Sequence, residues 1–385
     1  MPLSTRSCDI CGSNKIEPLW QYGHRTRTRS HTYNWESCIV VCSVCGFCFA
    51  SPAPSHDDLE KFYADSFTSY AKQEVAYSVT NRSDLLAKHC TGGTYVEIGS
   101  SNNNKELVVE LNKKYSEIIL VEPNDSALSK YCDIASVPSN IADTIAAYSV
   151  LEHVANLNEF LSHCKRILRP GGKILLEVPN IGYYPIFPLA LFLGEHITHF
   201  SPQTLTILME QNGFSLIDVS FKNAGNPLCF VGVFTHEDGK KSQAIGRGKD
   251  EVLYSKACVE GGVGAIQDYL DNMKKCRAAL EKAAQANENS VVWAANRNSL
   301  LLLNKWSLPS GAVVVDSDER KKNLFADVSV TIPDDTFDHI ISAKCFVICT
   351  SRHADNIKIW LGKYIDDLPN REIHILDFGG QHVAS

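Results

Sequence analysis

Six of the chain's fourteen cysteines fall within its first 48 residues, as Cys8-Asp-Ile-Cys11, Cys38 and Cys42-Ser-Val-Cys45-Gly-Phe-Cys48. No other feature restricts the fold as strongly. Each C-x2-C pair, Cys8/Cys11 and Cys42/Cys45, can set two thiolates on one tight turn. Two such turns about thirty residues apart make a tetrahedral sulfur site suited to zinc. Gly12 and Gly46 directly follow the second cysteine of each pair, where a knuckle needs a residue at ease with positive φ. Four thiolates close the coordination shell, so the spacing predicts structural Zn2+ rather than a catalytic metal. Cys38 and Cys48 read as packing residues. A redox role is disfavoured because neither pair opens a helix after a strand.

A length of 385 residues suggests two or three domains. With 44% apolar and 21% charged residues the chain reads as globular rather than disordered or fibrous. Its net charge of −7 argues against a general nucleic-acid or membrane-surface binder. No apolar stretch reaches the roughly 18–20 residues of a membrane-spanning helix. MPLSTRSCDIC lacks the basic and apolar regions of a secretory signal, so a cytoplasmic location is expected. The remaining cysteines then read as buried thiols rather than disulfides. Between the knuckles, Arg25, Arg27 and Arg29 recur at every second residue and would share one face of a strand. That face is either solvated or a phosphate clamp.

After a Pro-rich linker (Ser51-Pro52-Ala53-Pro54) and a helical segment, Tyr95-Val96-Glu97-Ile98 runs into Gly99-Ser100-Ser101-Asn102-Asn103-Asn104. This predicts a buried strand turning sharply into a helix. Roughly twenty residues later a second strand-like run ends in Glu122-Pro123, an acid placed to hold a ribose by its hydroxyls. The plan fits an adenosine-containing ligand without separating NAD from S-adenosylmethionine.

The segments Ser149-Val150-Leu151-Glu152-His153-Val154 and Ile167-Leu168-Arg169-Pro170-Gly171-Gly172, continuing to Asn180, resemble the fourth-strand tip, helix and fifth strand of class I S-adenosylmethionine-dependent methyltransferases. Glu97 to Ser100 resembles their glycine motif and Glu122 their ribose acid. Glu195-His196-Ile197-Thr198-His199 resembles a further motif of the same group. With the cysteine module and a C-terminal domain, the whole resembles the three-domain zinc-containing sugar C-methyltransferase family. The resemblance implies an α/β chain: a zinc-binding module over 1–54, a Rossmann-like methyltransferase core over 55–240, and a C-terminal Rossmann-like domain over 241–385.

It also implies S-adenosylmethionine as methyl donor and a nucleotide-linked sugar as acceptor, in bacterial polysaccharide or secondary-metabolite synthesis, by a monomer or homodimer without nucleic acid or membrane partners. The implied cofactor contacts are Tyr63, Tyr70, Glu97, Gly99, Ser100, Asn102, Glu122, Pro123, Ser149, Leu151 and His153. From the residues alone Tyr63 and Tyr70 read as core aromatics ahead of ligand contacts, and His153 as a packed side chain. Asn180 and Arg297 are the implied substrate contacts.

Methyl transfer from a sulfonium needs a nucleophile held in line and a group to take its proton. By resemblance His196 is the general base, Glu195 its orienting partner, and His199 a donor to a developing enolate. Leu193-Gly194 stands where the family has Tyr-His before Glu-His, and a stretch of about a dozen residues is missing between Glu122 and Glu152, which shortens the third strand region. Carbon, oxygen and nitrogen therefore stay open as the methylated atom. Residues 183–193, with Pro185 and Pro188, read as a lid or as core.

Beyond the polar stretch near residue 240, a helical run over 264–284 carries Ile266, Tyr269, Leu270, Met273, Cys276 and Leu280 near helical spacing. Strand-like runs at 291–294, 313–315, 346–348 and 373–376 then predict a second, smaller parallel sheet. Two other readings stand beside the enzyme: a methyltransferase-like binding module without turnover, and a nucleic-acid methyltransferase or binder.

Overall fold

The computed structural model describes residues 6–27, 32–70, 79–89, 92–99, 105–123, 129–222, 224, 226, 228–236, 248–295, 299, 302–303, 307–323, 328–351 and 353–377. The chain divides into two compact units, residues 1–24, 35–184 and 190–260, and residues 25–34, 185–189 and 261–385. Among the described residues, no helix is long and apolar enough to cross a membrane.

β1 (Ile16–Arg27), β2 (Thr32–Cys42), β3 (Cys48–Ala50) and β8 (Thr198–His199) form a sheet in the order β1-β2-β3-β8, in which β3 pairs antiparallel with both β2 and β8. β3 and β8 pair Cys48 with His199 and Phe49 with Thr198. The cysteine module thus shares its sheet with the segment that carries the predicted catalytic residues. Phe47, Phe49 and Phe200, all fully buried, pack together behind that junction.

α1 (His56–Tyr70) and α2 (Val79–His89) lead into a six-stranded sheet ordered β5-β4-β6-β7-β10-β9. Its members are β4 (Thr94–Ile98), β5 (Glu117–Val121), β6 (Ala142–Tyr148), β7 (Leu168–Pro179), β9 (Phe214–Ser220) and β10 (Cys229–His236). α3 (Lys105–Asn112), α4 (Leu157–Ile167), α5 (Leu189–Phe192) and α6 (Pro202–Gln211) lie between strands in sequence. The strands β5, β4, β6 and β7 are parallel, and β10 pairs antiparallel with β7 on one side and with β9 on the other, so β10 alone runs against the rest. The chain lays β5 on one side of β4 and β6 on the other, so a crevice opens at the carboxyl ends of β4 and β6.

Local sequence explains these elements. In α4 Asn156 caps the first turn by accepting from the Glu159 N–H, and Leu157, Phe160, Leu161, Cys164 and Ile167 make one buried stripe. α6 starts with a Ser201/Thr204 capping box. The third strand expected beyond β5 is reduced to a single bridge, Val121 to Tyr131. The Arg166 guanidinium holds the turn that follows, donating to the carbonyls of Ile134 and Ala135 at 3.1 Å.

α7 (Gly248–Gln285) starts at Gly248 rather than at 264. In its second half Ile266, Tyr269, Met273, Cys276, Leu280 and Ala283 are buried, alternating three and four residues apart. The second unit also holds a parallel sheet ordered β13-β12-β11-β14-β15, built from β11 (Ser290–Trp293), β12 (Ala312–Val315), β13 (Val330–Thr331), β14 (Cys345–Ile348) and β15 (Glu372–Ile375). Four of these strands fall on the predicted runs, and β13 is too short to show a pattern.

Candidate active site and thiol cluster

The two knuckles fold as their spacing predicts. Gly12 and Gly46 have φ of +69° and +79°, and each N–H closes its turn on a cysteine carbonyl, Gly12 to Cys8 at 2.8 Å and Gly46 to Cys42 at 2.9 Å. The sulfurs of Cys8, Cys11, Cys42 and Cys45 all lie within 4.8 Å of one another, with Cys8–Cys45 and Cys11–Cys42 at 3.5 Å. A zinc–sulfur distance of about 2.3 Å implies tetrahedral edges of about 3.8 Å, so the four thiols fit such an ion. Hydrogen bonds from Cys45 and Cys8 pull the Cys42 thiol down, while Cys8 is pushed far up by Cys42 and Cys45. Cys38 and Cys48 stay outside the cluster.

At the crevice, Gly99 ends β4 with φ +74°, and a Cβ there would lie 2.4 Å from Val150 Cγ2. Only glycine lets the β4 turn lie so close to the β6 tip. There Ser149, a non-glycine residue at φ +55°, turns the chain out of β6, its N–H donating to the Glu177 carbonyl at 2.9 Å. Such strain in a tight turn is common at functional sites. Glu122 follows β5 and is buried, with Pro123 exposed beside it.

Glu97 points into a buried polar network, accepting a hydrogen bond from Tyr95 Oη at 3.0 Å. Arg82 from α2 makes a bidentate pair with Glu177, at 2.8 and 3.2 Å, and its guanidinium lies 4.1 Å from the centroid of the Tyr148 ring.

Beyond Ser149 a 3-10 turn spans Leu151–His153. The Ile197 N–H donates to the Glu152 carbonyl at 2.9 Å, and Thr198 Oγ1 donates to the Leu151 carbonyl at 3.1 Å. These bonds bring His196 against His153, ring centroids 4.7 Å apart and edge to face. Tyr63 from α1 stacks its edge on His153 at 5.1 Å. The structure therefore gathers Tyr63, His153, Glu195 and His196.

It adds Glu152, which sequence reasoning passed over although it stands inside a quoted motif. Glu152 is 1% exposed, and burial, reinforced by the Glu177 charge, raises its pKa to about 8. Burial and the Glu195 and Glu152 charges push the Tyr63 phenol well up. Tyr22 of β1 is pushed to about 12 by burial, with Glu195 contributing.

His199 is 1% exposed, and Nδ1 is 2.8 Å from Tyr184 Oη. Burial lowers its pKa to about 3, so the ring is neutral. Asn180 accepts from the Gly182 N–H at 3.0 Å and caps the 3-10 turn Ile181–Tyr183. In the segment 183–193, Tyr184 and Leu191 are buried and Ile186 is exposed. Ser100, Asn102, Arg297 and the side chain of Tyr70 lie outside the described residues, as do the side chains of Arg25, Arg27 and Arg29.

Residues 67–219 match the family described as "Methyltransferase domain". A Mycolicibacterium smegmatis protein named "Probable S-adenosylmethionine-dependent methyltransferase" is 35% identical over 166 residues, 39% of this chain and 60% of its own length. The Homo sapiens "Ubiquinone biosynthesis O-methyltransferase, mitochondrial" is 29% identical over 102 residues, 23% of this chain and 27% of its own. The chain thus spans less than two thirds of either relative. A solved Burkholderia thailandensis 1,6-didemethyltoxoflavin-N1-methyltransferase aligns at 13% identity and a TM-score of 0.39, covering 50% of this chain and 96% of that one.

Proposed function

We propose that this chain, which carries a methyltransferase domain over residues 67–219, transfers a methyl group from S-adenosylmethionine to a nucleotide-linked sugar, with a structural Zn2+ on Cys8, Cys11, Cys42 and Cys45. The observation that carries the reading is the closeness of Gly99 to Val150 at the strand-order switch, where a side chain at residue 99 has no room. Glycine there leaves backbone exposed to a ligand across the crevice, as nucleotide sites of this topology require. Glu122, at the end of the neighbouring β5, is the acid for the ribose hydroxyls. Pro123, Ser149, Leu151 and His153 are the further cofactor contacts in this reading, Leu151 through its backbone because its side chain is buried in the core.

When bound, the sulfonium supplies an activated methyl group. The chain's own residues then have to hold the acceptor in line and receive its proton. His196 is the proton acceptor in this reading, held by the bonds from the Ile197 N–H and Thr198 Oγ1 to the 3-10 turn. Glu195 precedes it and Tyr63 closes the aromatic side of the cluster. The sugar acceptor is supported by the motif resemblance and by a second parallel sheet in the chain. Methylation at carbon follows the same resemblance, with oxygen or nitrogen as the other outcomes.

Calorimetric titration of the purified chain with S-adenosylmethionine, S-adenosylhomocysteine and NAD tests the reading. Binding of the two adenosyl ligands without NAD is the expected result, followed by turnover in a screen of nucleotide-sugars. Absence of adenosyl binding would overturn it.

A further inference from the structure

Glu152, His153 and His196 present one carboxylate oxygen and two ring nitrogens that all lie within 4.8 Å of one another. Two independent features suit this cluster to a cation. First, Glu152 Oε2 is buried and has no hydrogen-bond partner among the described residues. There the only ion pair of Glu152 is with His153 Nε2, 3.9 Å from Oε1. A buried carboxyl left so poorly matched can carry its charge only if something positive meets it.

Second, the His153 tautomer is set. Nδ1 lies 3.1 Å from the Glu195 backbone carbonyl, which can only accept, so Nδ1 carries the proton. The Nε2 lone pair is then directed to the side where Glu152 lies. A ring nitrogen donating to a backbone carbonyl while the other offers its lone pair is the usual arrangement of metal-ligating histidines.

We infer that Glu152, His153 and His196 form a second metal site, which takes a divalent transition cation through two imidazoles and one carboxylate. Donors about 2.1 Å from an ion stand at most about 4.2 Å apart, so small side-chain rotations would close the set. Two nitrogens and a carboxylate suit Mn2+, Fe2+, Co2+ or Zn2+, and three protein donors leave positions open for a ligand oxygen. This contrasts with the closed thiol cluster. The inference rests on the methyltransferase reading for its purpose. A cation here would polarise a hydroxyl or carbonyl oxygen of the acceptor, and His196 would then act as a ligand in place of a proton acceptor.

The test is a titration of the full chain with Mn2+ followed by electron paramagnetic resonance. Mn2+ disfavours thiolates and so reports on this site rather than on the cysteines. One bound Mn2+ per chain with coupling to histidine nitrogen is expected, and Glu152→Gln should weaken binding by at least about tenfold. No binding at millimolar Mn2+, binding without nitrogen coupling, or unchanged affinity in Glu152→Gln would each overturn the site. Should Glu152→Gln not fold, the nitrogen coupling in the wild-type chain decides alone. S-adenosylmethionine titrations on the same preparation separate the two claims. Adenosyl binding without a Mn2+ site overturns the metal and keeps the methyltransferase, while a Mn2+ site without adenosyl binding does the reverse.

Discussion

His153 donates its Nδ1 proton to the backbone carbonyl of Glu195, 3.1 Å away across 42 residues of chain. Together with the bonds from the Ile197 N–H and Thr198 Oγ1 to the 3-10 turn, this fixes the position of His196 without use of its own ring. His196→Ala should therefore leave the fold and adenosyl binding in place while lowering methyl transfer by about a hundredfold. Single-turnover rates measure this, and near-wild-type turnover would remove His196 from the reaction.

Gly99→Ala puts a methyl group 2.4 Å from Val150 Cγ2 at a φ of +74°, so either the turn or the β6 tip must move. Affinity for S-adenosylmethionine should fall at least about tenfold, or 1.4 kcal/mol, with circular dichroism unchanged. Equal affinity in calorimetry would show that the cofactor does not approach this turn.

The thiol cluster should contain about one zinc per chain. Cys42→Ser should release it and unfold β1–β3. Since β3 pairs with β8, and the Ala50 N–H donates to the Ile197 carbonyl at 2.9 Å, the damage should extend to the His196 segment. Methyl transfer is then expected to suffer more than adenosyl affinity. Metal analysis of the wild-type chain showing no zinc would refute the cluster's role.

Arg82 and Glu177 are buried together, with side chains 5% and 0% exposed. Arg82→Met takes the guanidinium away from a carboxylate buried in the core and should cost about 3–5 kcal/mol of stability. Adding Glu177→Leu should recover most of it, because an apolar pair does not carry the desolvation of two ions. Urea denaturation of both variants checks the sign, and a double variant as unstable as the single one would contradict it.

His199 is held neutral, with its folded pKa lowered to about 3 from the ordinary 6.5. Between those values the unfolded chain binds a proton that the folded chain refuses, so stability rises with pH there. The contribution is fully present above about pH 6.5 and is lost as pH falls toward 3. From pH 7 to pH 4 the wild type should lose about 3 kcal/mol more than His199→Gln. Parallel denaturation curves across that range would place a charge on the folded ring.

The sequence by itself determined what depends on short spacing. Two C-x2-C pairs with a following glycine specify knuckles, because four residues and one positive φ decide whether two sulfurs face one way. The glycine turn, the acid after β5 and the second parallel sheet were legible for the same reason, as strand ends and their turn residues are local in the chain. The abbreviated third strand showed as a shortage of residues.

Only the tertiary structure decided which of these side chains meet. Glu152 lies beside its predicted neighbour His153, yet its burial and approach to His196 come from a backbone ladder formed 45 residues later in the chain. In sequence His199 reads as a donor to a developing enolate and Asn180 as a substrate contact; in the fold His199 Nδ1 lies against Tyr184 Oη and Asn180 Oδ1 accepts from the N–H of Gly182 in its own turn. A side chain's type is local information. Its protonation and its partners depend on desolvation and on contacts between distant segments, which exist only when β3, β8 and the tip of β6 have come together.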